Sequence, residues 1–275
     1  MRDLEGKTAV VTGAGSGIGR SLARRWATEG MRVVVADVEP ETLADTASEL
    51  GGAVVAVATD VTVHADVERL AHHAYEAFGA VDVLCNNAGV FQGGLLWECT
   101  GADFEWTLRV NLWGILHGIR AFVPRMLAAG TEGHVVNTIS MAGLATTPFS
   151  GPYDVSKFAA MAATECLAHD LATVGAPIKV SAVCPGLVDT AISRSRRNRP
   201  AMLVTEPSEG AAFVEQALAD GTAGSMSPDE VADLVVQAVL EERFLVPTRP
   251  SYAQQLTDRC EDLVARRVPR SPTFD

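Results

Sequence analysis

Six short runs of β-branched residues recur along this chain, each followed by a helical pattern or a polar turn. That alternation constrains the fold more than any other feature. The runs are "KTAVVTG" (residues 7–13), "RVVVAD" (32–37), "GAVVAVATD" (ending at Asp60), "VDVLCNNAG" (81–89), "GHVVNTIS" (133–140) and "IKVSAVCPG" (178–186). Between them stand helix-like stretches such as "SLARRWATEG", closed by Gly30, and "EPETLADTASEL", with Pro40 near its first turn. Strands that are apolar on both sides and separated by helices specify a parallel sheet covered on both faces. With 275 residues, 48% of them hydrophobic and 20% charged, the chain can bury the core such a sheet needs.

A less regular region, 190–225, interrupts the pattern and reads as a lid-like insertion in one domain spanning 1–275. After it, Ser227, Pro228 and Glu230 have the spacing of a capping box with proline at the first helical position. The stretch 250–275 is a C-terminal extension, suited to assembly or to the rim of a pocket.

Charge and cysteine usage exclude several functions. A net charge of −12 argues against nucleic acid as a partner. No apolar run reaches the length of a membrane-spanning helix, and the acidic "MRDLEGKT" start lacks the apolar run of an export signal. Cys85, Cys99, Cys166, Cys184 and Cys260 are scattered without C-x-x-C spacing, so free thiols in a reducing cytoplasm are expected. The six histidines form no ligand pair, and no metal site is expected. The local exception to the acidic balance is "RSRRNR" (194–199), read as a solvated rim or as a contact to an acidic substrate or cofactor phosphate.

Two motifs carry chemistry. The first strand runs into "TGAGSGIG", where Gly13, Gly17 and Gly19 stand as G-x-x-x-G-x-G, with Ser16 and Ile18 between them. Glycines there let the backbone approach a pyrophosphate whose charge rests on a helix N-terminus; the alternative is a tight turn without ligand. Asp37, at the end of the second strand, favours the ligand reading. A carboxylate there can accept both hydroxyls of an unmodified adenosine ribose and would repel a 2′-phosphate, which selects NAD over NADP. The second motif is "YDVSK": of only three tyrosines and three lysines, Tyr153 and Lys157 stand four residues apart, one turn along a helix face. An ammonium within about 4–6 Å favours a phenolate, which would tune Tyr153 as a base. The plain alternative is a helix-surface pair.

"TGAGSGIG", "CNNAG", Ser140, "YDVSK" and "PGLVDT" occur in the order and spacing of the short-chain dehydrogenase/reductases, and the chain resembles that family over residues 4–250. The resemblance implies a Rossmann-like doubly wound parallel sheet with helices on both faces, commonly assembled as a dimer or tetramer. It implies hydride transfer between NAD(H) and an alcohol or carbonyl. Tyr153 is then the general acid/base, Lys157 its partner and Ser140 the holder of the substrate oxygen. Asn111 would open a helix so that water can relay protons to Lys157. Asn87, Ala88 and Gly89 would line the cofactor, with Asn86 holding strands together. Asp60 and Val61 would contact adenine, and Pro185, Gly186, Val188 and Thr190 would close over the nicotinamide.

Candidate substrate-facing residues are Phe91, Gln92, Trp97, Met141, Leu144, Phe149, Ile192, Met202 and Leu203. Being mostly apolar, they point to a hydrophobic secondary alcohol or ketone. An NADPH-preferring ketone reductase and a non-catalytic NAD sensor are the rival readings.

Overall fold

The computed structural model describes Met1 and residues 3–272. Seven parallel strands form one sheet in the order β3-β2-β1-β4-β5-β6-β7. They are β1 (Thr8–Thr12), β2 (Arg32–Asp37), β3 (Val54–Ala58), β4 (Val83–Asn86), β5 (Gly133–Thr138), β6 (Ile178–Cys184) and β7 (Leu245–Pro247). Six are the runs read from the sequence. The seventh is a three-residue edge strand whose Pro247 cannot donate to a ladder, too short to leave a periodic signal.

Alternate residues of each strand feed opposite faces. Val11, Val33 and Val35 join one apolar cluster with Leu22 and Trp26 of α1 (Gly17–Thr28), Leu43 of α2 (Pro40–Leu50) and Val235 of α8 (Pro228–Leu240). Val10, Val34 and Ala36 face the other cluster. There they meet Leu70 of α3 (His64–Phe78), Phe122 of α5 (Gly114–Ala129) and Leu167 of α6 (Gly151–Thr173). Ser227 and Glu230 cap α8 reciprocally, at 3.2 and 2.8 Å.

The chain winds outward from β1 through β2 to β3, then returns to β4 on the other side of β1. The loops at the carboxyl ends of β1 and β4 therefore diverge and leave a crevice, the place where open α/β sheets bind ligands. One wall of that crevice comes from residues 190–225. This segment holds two 3₁₀ turns (Ala191–Asn198 and Ala201–Leu203) and α7 (Glu209–Thr222). The C-terminal helix α9 (Tyr252–Val264) packs Tyr252 and Leu256 against the cluster around Ile139 and Met141. Asp262 then ties back Arg267 and Arg270, and the tail brings Pro272 to the cavity; Thr273 to Asp275 lie outside the described residues. Among the described residues no helix is long and apolar enough to cross a membrane.

Candidate active site

The crevice is a cavity of about 480 Å³. All the cofactor residues expected from the sequence line it: Gly13, Ser16, Gly17, Ile18, Gly19, Asp37, Asp60, Val61, Asn87, Ala88, Gly89, Pro185, Gly186, Val188 and Thr190. So do Ser140, Tyr153 and Lys157, whereas Asn111 lies just behind Gly89.

The glycine turn is shaped as a cradle. Gly13 has φ +68°, and a Cβ there would stand 2.8 Å from the Ala88 Cα. At Gly19 a Cβ would fall 2.0 Å from the Gly13 carbonyl oxygen, which no side chain tolerates. Ser16 caps α1 without using its side chain, so the first N–H groups of the helix point into the crevice uncapped by a side chain. Thr12 fixes the facing loop: its hydroxyl accepts from Asn87 N–H (3.0 Å) and Ala88 N–H (3.1 Å). The Asp37 carboxylate accepts from Gly15 N–H at 2.8 Å and Glu39 N–H at 3.0 Å, leaving lone pairs for further donors. A close-approach turn, an open helix N-terminus and a carboxylate at the end of β2 fit a dinucleotide.

At the other end of the cavity, α6 presents Tyr153 and Lys157 one turn apart. Lys157 Nζ is buried, lies 5.7 Å from the Tyr153 ring centre and donates to the Thr138 carbonyl at 3.0 Å. Ser140, just past β5, stands beside Tyr153; its hydroxyl donates to the Pro185 carbonyl at 3.4 Å and accepts from Ala142 N–H at 3.1 Å. The Phe91 ring packs on Tyr153 at 5.1 Å.

Asn111 sits in a π-helical turn, Arg109–Trp113, between α4 (Gly101–Leu108) and α5. The backbone bonding is widened over this one turn. The Asn111 amide is fully engaged, however. It exchanges hydrogen bonds with the Val90 main chain (2.9 Å each way) and donates to Ser156 Oγ at 2.9 Å. Asn86 does hold strands together, donating to Asn137 Oδ1 at 2.9 Å.

Electrostatics depart from the sequence expectation. Burial pushes the Tyr153 phenol up to about 12, with the Ser140 hydroxyl pulling the other way and the Asp154 charge adding to the rise. Burial also draws Lys157 down to about 8. Desolvation is therefore the leading influence on both groups. Asp154, missed in the sequence reading, is a buried carboxyl lining the cavity, pushed up to about 7 by burial; one oxygen accepts from Thr147 N–H at 2.8 Å and the other has no partner.

Of the substrate-side candidates, Phe91, Met141 and Ile192 line the cavity. Leu144 belongs to the core, Leu203 packs on Val90 and Trp106, and Phe149 stacks on Phe213 at 5.6 Å. Trp97 and Met202 are 81% and 85% exposed and face solvent. Gln92 is buried as an acceptor for Arg196 and Arg199. "RSRRNR" is only partly a solvated rim. Arg199 is buried against Asp103 and over the Trp106 ring, while Arg194 and Arg197 are exposed. The signal for Asp103 was present in the T-x-x-D spacing from Thr100, a capping box at the start of α4.

The pattern of the short chain dehydrogenase family matches residues 7–201. The chain belongs to the short-chain dehydrogenase family. Several relatives match over nearly whole lengths. A CLA biosynthesis dehydrogenase/reductase of Lactiplantibacillus plantarum is 31% identical over 98% of this chain and 97% of its own. A 1-deoxy-11-beta-hydroxypentalenate dehydrogenase of Streptomyces avermitilis is 38% identical over 94% and 91%. A crystal structure of a Burkholderia phymatum short-chain dehydrogenase/reductase in complex with NAD superposes with a TM-score of 0.97 at 40% identity, covering 100% of both chains. This short-chain dehydrogenase is therefore an oxidoreductase with the seven-stranded Rossmann-like sheet of its family.

Proposed function

We propose that this short-chain dehydrogenase transfers hydride between NAD(H) and a hydrophobic secondary alcohol or ketone, with Tyr153 as its general acid/base. The observation that carries the reading is the convergence of Ser140, Tyr153 and Lys157 at one end of a cavity whose other end is closed by the glycine turn and Asp37. Apolar side chains also line this cavity, among them Val90, Phe91, Trp106, Met141, Val214 and Leu218, with Phe91 packed on Tyr153. A relative named as a hydroxypentalenate dehydrogenase and a neighbour held with NAD support both halves of the reading.

Gly13 to Gly19 and the N-terminus of α1 would hold the pyrophosphate, Asp37 the adenosine ribose, and Lys157 the nicotinamide ribose. Bound there, the nicotinamide supplies the ring that accepts or donates hydride and, when oxidised, a positive charge. In ketone reduction Tyr153, a neutral phenol at ordinary pH, donates its Oη proton to the carbonyl oxygen. In alcohol oxidation Tyr153 must first release its own proton to solvent; as a phenolate its Oη then takes the hydroxyl proton, and its high resting value means that this ionisation needs cationic help. Lys157, protonated below about pH 8, is placed to give it. Ser140 Oγ orients the substrate oxygen and stabilises charge that develops on it. The widened turn at Asn111 leaves a route by which solvent can re-supply protons to Lys157. The segment 190–225 acts as a lid that keeps water from the reacting carbon.

The test is turnover by purified protein of NAD⁺ against a panel of secondary alcohols, and of NADH against the matching ketones. Formation of ketone with stoichiometric NADH supports the assignment; dinucleotide binding without any turnover across the panel overturns it.

A further inference from the structure

The cavity-lining residues include two cations, Lys157 beside Tyr153 and Arg197 at the adenosine end. Arg197 does not face the cavity unengaged. Its Nη2 lies 2.9 Å from Glu39 Oε1 and its Nε donates to the same oxygen at 3.1 Å. The next residue joins the same anchor, since Asn198 Nδ2 donates to Glu39 Oε1 at 2.6 Å. Arg197 Nη1 also donates to the carbonyl oxygens of Arg194 (3.0 Å) and Ala191 (3.4 Å), which fixes the guanidinium to its own turn.

Glu39 stands two residues beyond Asp37 and is bound into the same turn, its N–H donating to Asp37 Oδ1. A connection between residues 158 positions apart therefore crosses the mouth of the crevice at the edge of the adenosine site. Arg20, another guanidinium in this region, is committed elsewhere. It donates to the carbonyl oxygens of Gly15 (2.7 Å) and Thr42 (3.2 Å) and pairs with Glu49.

We propose that Glu39 is a second determinant of dinucleotide choice beside Asp37, acting by keeping Arg197 engaged. A guanidinium is the side chain best shaped to take a phosphate by two parallel hydrogen bonds. Freed at this rim, Arg197 would meet a phosphate on the adenosine ribose. Held by Glu39, it fastens the 191–198 turn across that end of the site and offers a ribose phosphate nothing but two carboxylates. The latch is half-exposed, so it opens readily and its strength falls with salt. The inference rests on the dinucleotide reading above.

The test is equilibrium binding of NAD⁺ and NADP⁺ by calorimetry to four intact proteins: the wild type, Glu39→Gln, Arg197→Ala and the double variant. The same four on an Asp37→Ser background bring NADP⁺ affinity into a measurable range. Glu39→Gln should tighten NADP⁺ by about five-fold without tightening NAD⁺. The gain should disappear in the double variant and shrink as salt is raised. Equal changes for the two dinucleotides, or a gain that survives removal of Arg197, would overturn the latch. Binding of neither dinucleotide by the wild type would overturn the dinucleotide reading and the latch together; NAD⁺ binding with no shift among the variants overturns the latch alone.

Discussion

Arg199 and Asp103 meet at 2.7 Å with side chains only 1% and 7% exposed. They join the segment after β6 to the first turn of α4. Burial works against ionisation of Asp103, but the Thr100 N–H and the Arg199 guanidinium more than offset it and hold the carboxyl below its ordinary value. Thr205 Oγ1 and Gln92 complete the knot, at 3.2 Å to Asp103 and 3.0 Å to Arg199.

Removing one partner of that pair strands a charge in a dry place. Asp103→Ala should cost about 3–5 kcal/mol of stability and free the cavity wall formed by 190–225, raising the KM for substrate more than it lowers kcat. Replacing both, as Asp103→Leu with Arg199→Met, should restore part of the loss. Denaturant melts and steady-state kinetics on both variants check this; a neutral single variant would show that the pair does not anchor the segment.

Tyr153→Phe removes the proposed proton carrier while keeping the ring that packs on Phe91. Turnover should fall by about a hundred- to ten-thousand-fold, with NADH affinity within a few-fold of wild type. Unchanged turnover would reject Tyr153 as the acid/base.

Asp37→Ala should move preference from NAD towards NADP. Because Asp37 also accepts from Gly15 N–H and Glu39 N–H, a loss of affinity for both dinucleotides accompanies the shift. Competitive binding of the two gives the ratio; no change in that ratio refutes the ribose assignment.

Asp154 makes stability depend on pH. Its carboxyl titrates at about 7 folded against 3.8 in the open chain, so between those values only the folded protein holds the proton and stability falls as pH rises. The shift corresponds to about 4 kcal/mol at most. Asp154→Asn removes this penalty, so the difference in Tm between variant and wild type should be more positive at pH 8 than at pH 5. With the charge gone, the alkaline rise in alcohol oxidation should also move to lower pH, since Asp154 helps hold the Tyr153 phenol up. A pH-independent Tm difference would contradict a buried, titrating Asp154.

Gly19→Ala would place a methyl group 2.0 Å from the Gly13 carbonyl. The turn must open to admit it, so dinucleotide affinity should drop sharply in calorimetry while the circular dichroism of the sheet persists. Retained affinity would show that the cradle does not hold the pyrophosphate.

Much of this protein follows from local chemistry that needs no partner far along the chain. Strand alternation, the glycine turn, the acid at Asp37, the capping box at Ser227 and the four-residue step from Tyr153 to Lys157 are short-range patterns. Backbone sterics and periodicity act within a few residues, so six of the seven strands and the motifs that line the cavity could be read directly. Tertiary structure alone decided the rest. The pairing of Arg199 with Asp103, the hold of Glu39 on Arg197 and the burial that raises Tyr153 and Asp154 depend on segments about a hundred or more residues apart, or on how deeply a group is covered. Ion pairing and desolvation follow distance and depth in space, and neither is written in the order of residues.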